Sequence, residues 1–386
     1  MTKRGAESAA GFDCFAIVAP GLEPFALTEA RELGLDVRAV DGGFEWSGDA
    51  RSVLAANIGL RIASRVLVRL ASFDARSFAE LERRGRQVPW HRVVREGAAV
   101  RFRVTSRKSK LYHTGGIAQR LSDAVRRALP GVSTSEAPDE TDDLDAATLM
   151  VVRFLRDHCT ISADTSGALL HRRGYREATA KAPVRETIAA ALLRASEWDA
   201  TAPLVDPFCG SGTIPIEAAL VALDCAPGVR RHFAVEHWPG VRATLAAEVR
   251  TELAARAVAR EHAAIIGSDR DAGAIAAATA NAMRAGVAEA VSFTERSISA
   301  ASFPAGARGW VVTNPPYGVR VGESSKVRDL WATFGRVLRE RARGWRIAVL
   351  SPDVALERQL GFSVQVVATT SNGGIPVRMV VAEVPA

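Results

Sequence analysis

The chain is poor in cysteine, with four in 386 residues. Cys14, Cys159, Cys209 and Cys225 stand far apart, with no CxxC pair and no histidine at metal-ligand spacing. This argues against a disulfide framework and against a zinc or other metal site, and reduced thiols in the cytoplasm are the expectation. Long apolar runs are missing too: none reaches the roughly 20 residues that a membrane-spanning helix needs. The opening stretch MTKRGAESAAGFDCF lacks the apolar core of a signal peptide, which again points to a cytoplasmic protein. Its first ten residues are small and polar and read as a frayed leader. No internal repeat is apparent. Lysine is nearly absent, because arginine supplies almost all of the 50 basic residues.

What is present fits a globular protein of two or three domains: 48% hydrophobic and 24% charged residues. The net charge of +7 favours a polyanionic partner. A GC-rich genome would produce the same excess of arginine and alanine, so charge by itself leaves the partner open.

The C-terminal half alternates short apolar strands with alanine-rich helices. The strands are PLVDPF (203–208), AIIGSD (264–269), VSFTE (291–295), GWVVTN (309–314), RIAVLS (346–351), SVQVVAT (363–369) and VRMVVAEV (377–384). Helical patterns follow Gly212, Asp269 and Ser325. This order predicts a parallel sheet covered by helices on both faces. The last two strands join through SNGGIP, a hairpin signal, so the sheet is mixed and seven-stranded, as in Rossmann-like class I methyltransferases. The N-terminal half reads differently. FAIVAPGLEPFALTEARELGL predicts strand, turn and helix, and GGFEWSG a short strand, the order of a ferredoxin-like unit. SFAELERRGRQV predicts a long helix, AAVRFRVTSRKS a strand and GGIAQRLSDAVRRAL a helix. STSEAPDETDDLD reads as a solvated connector, before strands at TLMVVRFLRD and TISADTSG. The halves meet near LLHRRGYREATAKAPVRE (169–186), making the whole an α/β protein with an α+β front half.

LVDPFCGSGTIPIEAAL sits where the first parallel strand ends and a helix begins. Gly210 and Gly212 let the backbone turn sharply and approach a ligand at the carboxyl edge of the sheet. A phosphate-binding P-loop would need GxxxxGK[ST], and the nicotinamide fingerprint a third glycine where this chain has Pro215. Asp206, ahead of the glycines, would repel phosphate and suits a ligand with an amino group and a sulfonium, such as S-adenosyl-L-methionine. Asp269, ending the next strand, is placed for ribose hydroxyls, with Asp271 as second choice. Thr213 continues the loop into its helix.

GWVVTNPPYGVR stops the fourth strand at that edge, since neither strand nor helix interior continues through Pro315 and Pro316. The Asn314 side-chain oxygen and the Pro315 carbonyl can both accept from one exocyclic NH2. An amino group conjugated to a ring is a poor nucleophile, and two fixed acceptors redirect its lone pair toward a methyl donor. Tyr317 offers a face on which an unstacked base can lie. Adenine N6, cytosine N4, guanine N2 and the glutamine amide could all sit there.

Together these residues resemble the THUMP-domain guanine-N2 RNA methyltransferases, the RlmL-like enzymes of bacteria, over nearly the whole chain. VAPGLEPFALTEARELG resembles the family's opening, FRVTSRKSKLYHTGGIAQRLSDAV its THUMP module, and LLHRRGYREATAKAPVRETIAAALL and APGVRRHFAVEHWP its catalytic half. The resemblance implies a ferredoxin-like unit over 1–64, a THUMP RNA-binding domain over 65–168 and a methyltransferase domain over 169–386. It implies cofactor contacts from Asp206, Phe208, Gly210, Gly212 and Asp269, and guanine contacts from Asn314, Pro315 and Tyr317. Ser297 stands about where the family places an aspartate near the adenine, with Glu295 as its possible substitute. RNA contacts are expected from Arg107, Lys108 and Lys110 beside Tyr112 and His113, with Arg101 and Arg103 adding charge. A second set is expected at Arg172, Arg173, Tyr175 and Arg176. The implied activity is N2 methylation of a guanosine in large-subunit rRNA by a protein assumed monomeric. Transfer RNA is the alternative, and protein glutamine methylation or a non-catalytic RNA-binding relic are more distant ones.

Overall fold

A computed structural model describes residues 11–137, 147–177, 184–257, 262–304, 308–317 and 324–386. The expected leader, the acidic part of the connector and Gly318–Arg320 of the corner motif lie outside them.

The front half begins with β1 (Phe12–Ile17), α1 (Glu23–Glu32), β2 (Arg38–Val40), β3 (Gly43–Gly48), α2 (Ala50–Gly59) and β4 (Arg65–Asp74). This is the βαββαβ order of a ferredoxin-like unit. Helix α2 has a physical start signal: the Asp49 carboxylate accepts from the Ser52 amide at 2.9 Å and caps the helix. Next come α3 (Phe78–Gly85), β5 (Ala99–Arg107), α4 (Thr114–Ala128), β6 (Ser133–Glu136), β7 (Thr148–Leu155) and β8 (His158–Asp164). All eight strands form one sheet, in the order β2-β3-β1-β4-β8-β7-β5-β6. Strand β4 pairs with β1 on one side and β8 on the other, so one sheet runs across the boundary expected at residues 64–65. Two local expectations are corrected. The helix at Phe78 stops at Gly85, whose carbonyl is taken by the indole of buried Trp90 at 3.0 Å. The connector expected from Ser133 begins as a strand, because its polar residues pair in parallel with the edge of β5.

After α5 (Glu186–Ala195) the second half supplies β9 (Leu204–Asp206), α6 (Thr213–Ala222), α7 (Leu245–Ala254), β10 (Ile265–Asp269), α8 (Ala272–Ala285) and β11 (Ser292–Glu295). It ends with β12 (Trp310–Thr313), α9 (Ser324–Arg341), β13 (Arg346–Ser351), α10 (Val354–Gln359), β14 (Gln365–Asn372) and β15 (Ile375–Glu383). The sheet order is β11-β10-β9-β12-β13-β15-β14. All pairs from β11 to β13 are parallel, and β15 runs antiparallel to both of its neighbours. The mixed seven-stranded sheet is therefore as expected from the alternation and the SNGGIP turn.

The halves are docked through backbone. Ile58 accepts from the Gly228 amide at 2.8 Å, and Thr165 from the Val235 amide at 3.1 Å. Gly21 adopts φ +83°, and a Cβ there would fall 2.1 Å from the Thr369 carbonyl oxygen of β14, so the glycine of the APGLE turn permits this approach. Arg61 donates across the junction to the Cys225 carbonyl at 2.6 Å, and Arg231 to Ala168 at 2.7 Å. All four cysteines are unpaired.

Candidate active site

Strand β9 lies between β10 and β12, and the sheet order reverses there. In open α/β sheets the crevice outside the carboxyl ends at such a point is where ligands bind. The glycine loop leaves β9 at this point and the Asn-Pro-Pro-Tyr corner leaves β12 beside it. Gly210 (φ 51°) and Gly212 (φ 84°) are both left-handed. Gly212 is also crowded, since a Cβ would stand 2.9 Å from the Ala278 methyl and from the Phe293 ring. It is the N-cap of α6, Thr213 is the buried first residue, and Pro215 falls in the first turn, where no N–H is missed.

Two aspartates frame the loop. Asp206 is buried, and its Oδ1 accepts from the Phe208 amide at 3.1 Å and the Thr313 hydroxyl at 2.6 Å. Burial pushes its carboxyl up to about 7, opposed by the bonds from Thr313 and Phe208 and reinforced by the charge of Asp269. Asp269 is half-buried and holds the loop from the next strand. Its Oδ2 accepts from the Gly210 amide at 3.0 Å and its Oδ1 from the Asp271 amide at 3.0 Å. Asp271 itself caps α8, accepting from Gly273 at 2.8 Å and Ala274 at 3.2 Å. Phe208 packs edge-to-face on Phe334, centroids 5.3 Å apart. Ser297 is exposed and bonds Ser299 at 3.0 Å, and Glu295 is exposed at the end of β11.

At the corner, Asn314 is half-buried, Pro315 buried and Pro316 exposed. The Tyr317 hydroxyl donates to Asn314 Oδ1. The indole of fully buried Trp331, on α9, donates to the Pro316 carbonyl at 3.2 Å and pins the far side of the turn. Burial raises the Tyr317 hydroxyl pKa well above the ordinary range, which keeps it a neutral donor. Thr313 is the residue that sequence reading missed. Its hydroxyl ties the end of β12 to Asp206 at the end of β9, and the signal was a lone polar residue closing the apolar run WVV.

The basic clusters fare unequally. Arg107 ends β5, Lys108 takes the left-handed φ of 51°, and the Lys110 amide is held by Asp157 at 2.7 Å. Tyr112 is 68% exposed, its ring 4.2 Å from that of His113. The structure thus brings these five residues together at one end of the front sheet. The second set divides. Arg172 is exposed, and Arg176 pairs with Glu186 at 2.8 Å. Arg173 and Tyr175, expected to touch RNA, are each 4% exposed, and both bond Glu217 of α6. Arg173 Nε and Nη2 reach the two Glu217 oxygens at 3.3 and 3.4 Å, and the Tyr175 hydroxyl reaches Oε1 at 3.1 Å. Nη1 and Nη2 also donate to the Leu170 and Arg61 carbonyls at 2.7 and 2.6 Å. Two side chains so enclosed cannot meet a phosphate; they anchor the cofactor-loop helix to the front half. The missed signal was Glu217 itself, an acid inside the apolar helix TIPIEAALVAL.

The sheet order, the glycine loop with its acidic partners and the corner at the adjacent strand end define an S-adenosylmethionine-dependent methyltransferase. The family model described as RMKL-like, methyltransferase domain, matches residues 173–380, and that of the RlmL ferredoxin-like domain matches 13–67. The chain belongs to this RMKL-like methyltransferase family. It is 32% identical over 342 residues to YpsC of Bacillus subtilis (strain 168), described as a candidate RNA methyltransferase, with 88% of each chain covered. It is 34% identical over 381 residues to the ribosomal RNA large subunit methyltransferase K/L of Syntrophotalea carbinolica. That match takes in 95% of this chain and 52% of the relative, so the chain spans about half of that protein's length. Among solved structures, SMU.472, a candidate methyltransferase complexed with SAH, superposes with a TM-score of 0.86 at 28% identity, covering 98% of this chain and 99% of the other.

Proposed function

We propose that the protein methylates the exocyclic N2 amine of a guanosine in RNA, with large-subunit ribosomal RNA as the substrate and transfer RNA as the alternative. One observation carries this reading: the Thr313–Asp206 bond, which joins the ends of two adjacent strands, one leading into the glycine loop and the other into the Asn-Pro-Pro-Tyr corner. The RNA class is supported by the names of the K/L relative and YpsC and by the exposed tip around Tyr112.

The residues present fit the cofactor. A buried carboxylate whose proton affinity has climbed to neutrality is a place where a positive ligand group restores the ionised form. Asp206 would face the cofactor's amino group, Asp269 its ribose, and the Cβ-free Gly210–Gly212 turn its approach. Phe208, Thr213 and Ser297 would complete the wall. When bound, the cofactor supplies an electrophilic methyl carbon on a sulfonium. Asn314 Oδ1 and the Pro315 carbonyl would hold the two hydrogens of the guanine amine and turn its lone pair toward that methyl, so that transfer would leave the C–S electron pair on sulfur and the amine's surplus proton would pass to water. Pro315 and Pro316 fix the acceptors before the base arrives, so no reorganisation is needed at the moment of transfer.

Asp206 makes cofactor binding pH-dependent. The protonated form holds below about 7, and binding a cation requires the carboxylate, so binding releases a proton there. Affinity should hold above pH 7 and fall about tenfold per unit below it, while stability of the cofactor-free protein changes the opposite way, declining as pH rises from about 4 to 7. Calorimetry in buffers of different ionisation heat counts the proton; equal affinity at pH 5.5 and 8 would remove Asp206 from the cation's side.

Residues 65–168 would act as the THUMP RNA-binding domain between the units 1–64 and 169–386, with its charged tip on the RNA backbone. Reversing Arg107 and Lys108 to glutamate should weaken RNA binding and flatten the salt dependence by about 1 to 2 in log–log slope, as expected for two lost phosphate contacts. An unchanged slope would take the tip out of the footprint. The function itself is tested by mass mapping of N2-methylguanosine in rRNA and tRNA from cells with and without the protein. A modified guanosine should disappear from one of the two, and identical maps would refute the assignment.

A further inference from the structure

A loop built on glycines is free to bend, so one working conformation has to be held from outside. The peptide between Ser211 and Gly212 is held at both ends. Its N–H donates to the Cys209 carbonyl at 2.8 Å, and its carbonyl accepts from the Asn281 side-chain amide at 3.0 Å. Asn281 lies on α8, the helix that follows Asp269, and the buried face of α8 is Ala278, Asn281 and Ala282. Ala278, just under one turn earlier, is the residue whose methyl a Cβ on Gly212 would meet at 2.9 Å, so helix and loop are in direct contact. An asparagine with no exposed surface in an alanine-rich helix costs both helix propensity and desolvation, and needs partners to offset them. Its other end is specified as well. Asn281 Oδ1 accepts from Arg284 Nη2, and Arg284 Nε donates to the Tyr175 carbonyl at 2.8 Å. A guanidinium only donates and a carbonyl only accepts, so the two neighbours dictate which way the amide faces. Tyr175 reaches Glu217 of α6 through its hydroxyl, and α6 is capped by Gly212. The bonds close a ring from the glycine loop through α8 and the junction segment to α6 and back.

We propose that Asn281 is a positioning residue of the cofactor site: its amide holds the Ser211 carbonyl and so keeps the Gly210–Gly212 turn in the conformation that receives S-adenosylmethionine. The inference rests on the reading of this loop as the cofactor's binding site. Gly212, at φ 84°, can adopt other backbone conformations at little cost. Ser211 is 3% exposed, so losing the Asn281 donor strands its carbonyl, and rotation of the peptide becomes the way to relieve it. That rotation gives up the bond from Gly212 to Cys209, which leaves the loop divided between conformations of similar energy. Only one of them receives the cofactor, so apparent affinity falls by the fraction of molecules that hold it. Once bound, the cofactor selects that conformation and the methyl-transfer step is spared.

The test is calorimetry of S-adenosylmethionine binding at pH 8, well below Tm, with kcat at saturating cofactor on a transcript of large-subunit rRNA. Asn281→Asp keeps the shape and the Arg284 contact but sets an oxygen, in place of a donor, against the Ser211 carbonyl. It should weaken cofactor binding about tenfold or more. Its kcat should stay within about threefold of wild type, and where the transcript is no substrate, affinity and exchange decide alone. In the cofactor-free protein, amide exchange across residues 208–213 should quicken severalfold. Asn281→Ala should show the same pattern and serves if the aspartate variant fails to fold. Arg284→Met, which lets the amide turn, should cost about threefold in affinity by itself and nothing further beside Asn281→Ala. Wild-type affinity and unchanged loop exchange in folded Asn281 variants would overturn the inference, as would a fall in kcat with affinity intact. Fully additive losses would remove Arg284 from the arrangement. Asp206→Asn, run in parallel, separates the two readings. If it also binds like wild type, the loop is not the cofactor's site and both fall; if it alone loses affinity, only the role of Asn281 is withdrawn.

Discussion

Replacing Asn314 by alanine should leave cofactor affinity near the wild-type value and lower methyl transfer by on the order of 10²-fold or more. The two effects separate because of where each side chain is tied. Asp206 is held by Thr313 and by the Phe208 amide, neither of which involves Asn314, so the glycine loop and its carboxylates are expected to persist. What disappears is one of two acceptors fixed for the amine. The remaining Pro315 carbonyl can hold one hydrogen but cannot set the direction of the nitrogen lone pair. The Tyr317 hydroxyl also loses its present partner and is free to turn toward the pocket. The loss should therefore appear in the single-turnover rate with saturating RNA and cofactor, not in either binding constant. Normal single-turnover chemistry in this variant would deny the corner any part in transfer.

The second large effect lies away from the chemistry. Glu217→Ala should destabilise the protein by about 3–5 kcal/mol, because it strands the guanidinium of Arg173 in the interior. Glu217 is fully buried, and the Arg173 side chain is 2% exposed. Burial pushes the Arg173 pKa down, and the charge and hydrogen bond of Glu217 together with the Glu186 charge bring it above its ordinary value; a guanidinium keeps its proton even without that partner, so deleting Glu217 leaves a buried charge. The Leu170 and Arg61 carbonyls still accept from it and keep the loss toward the lower end. For a catalytic half of about 200 residues this corresponds to a fall in Tm on the order of 10 °C, read by thermal unfolding. Arg173→Ala should produce a comparable fall without changing the salt slope of RNA binding, which distinguishes a structural clamp from a phosphate contact. A variant with unchanged Tm and a flatter slope would restore Arg173 to the RNA surface. Since Glu217 sits on α6, one turn beyond Gly212, loosening the clamp should also weaken cofactor binding modestly.

Much of the catalytic half was legible because its signals are local. An apolar strand that runs into Gly-x-Gly and then into a helix with proline in its first turn has few other readings, and the loop forms as expected with both glycines left-handed. The corner was equally readable, since two prolines permit almost nothing else. The strand that begins at Ser133 was illegible because its residues are polar and acquire strand character only by pairing with β5. Arg173 and Tyr175 were misassigned for a related reason. Their residue types are those of a nucleic-acid surface, and only the packing of α6 against the front half turns that surface inward.

By itself the sequence determined which segments alternate as strand and helix, where the chain must bend, and which side chains stand at the bends, because backbone sterics and hydrophobic period act over neighbouring residues. The tertiary structure alone decided which of those bends face one another, which charged groups are buried as partners, and that Thr313 and Glu217 matter. Those relations join residues 42 to 107 positions apart along the chain, across distances that only the completed sheets close.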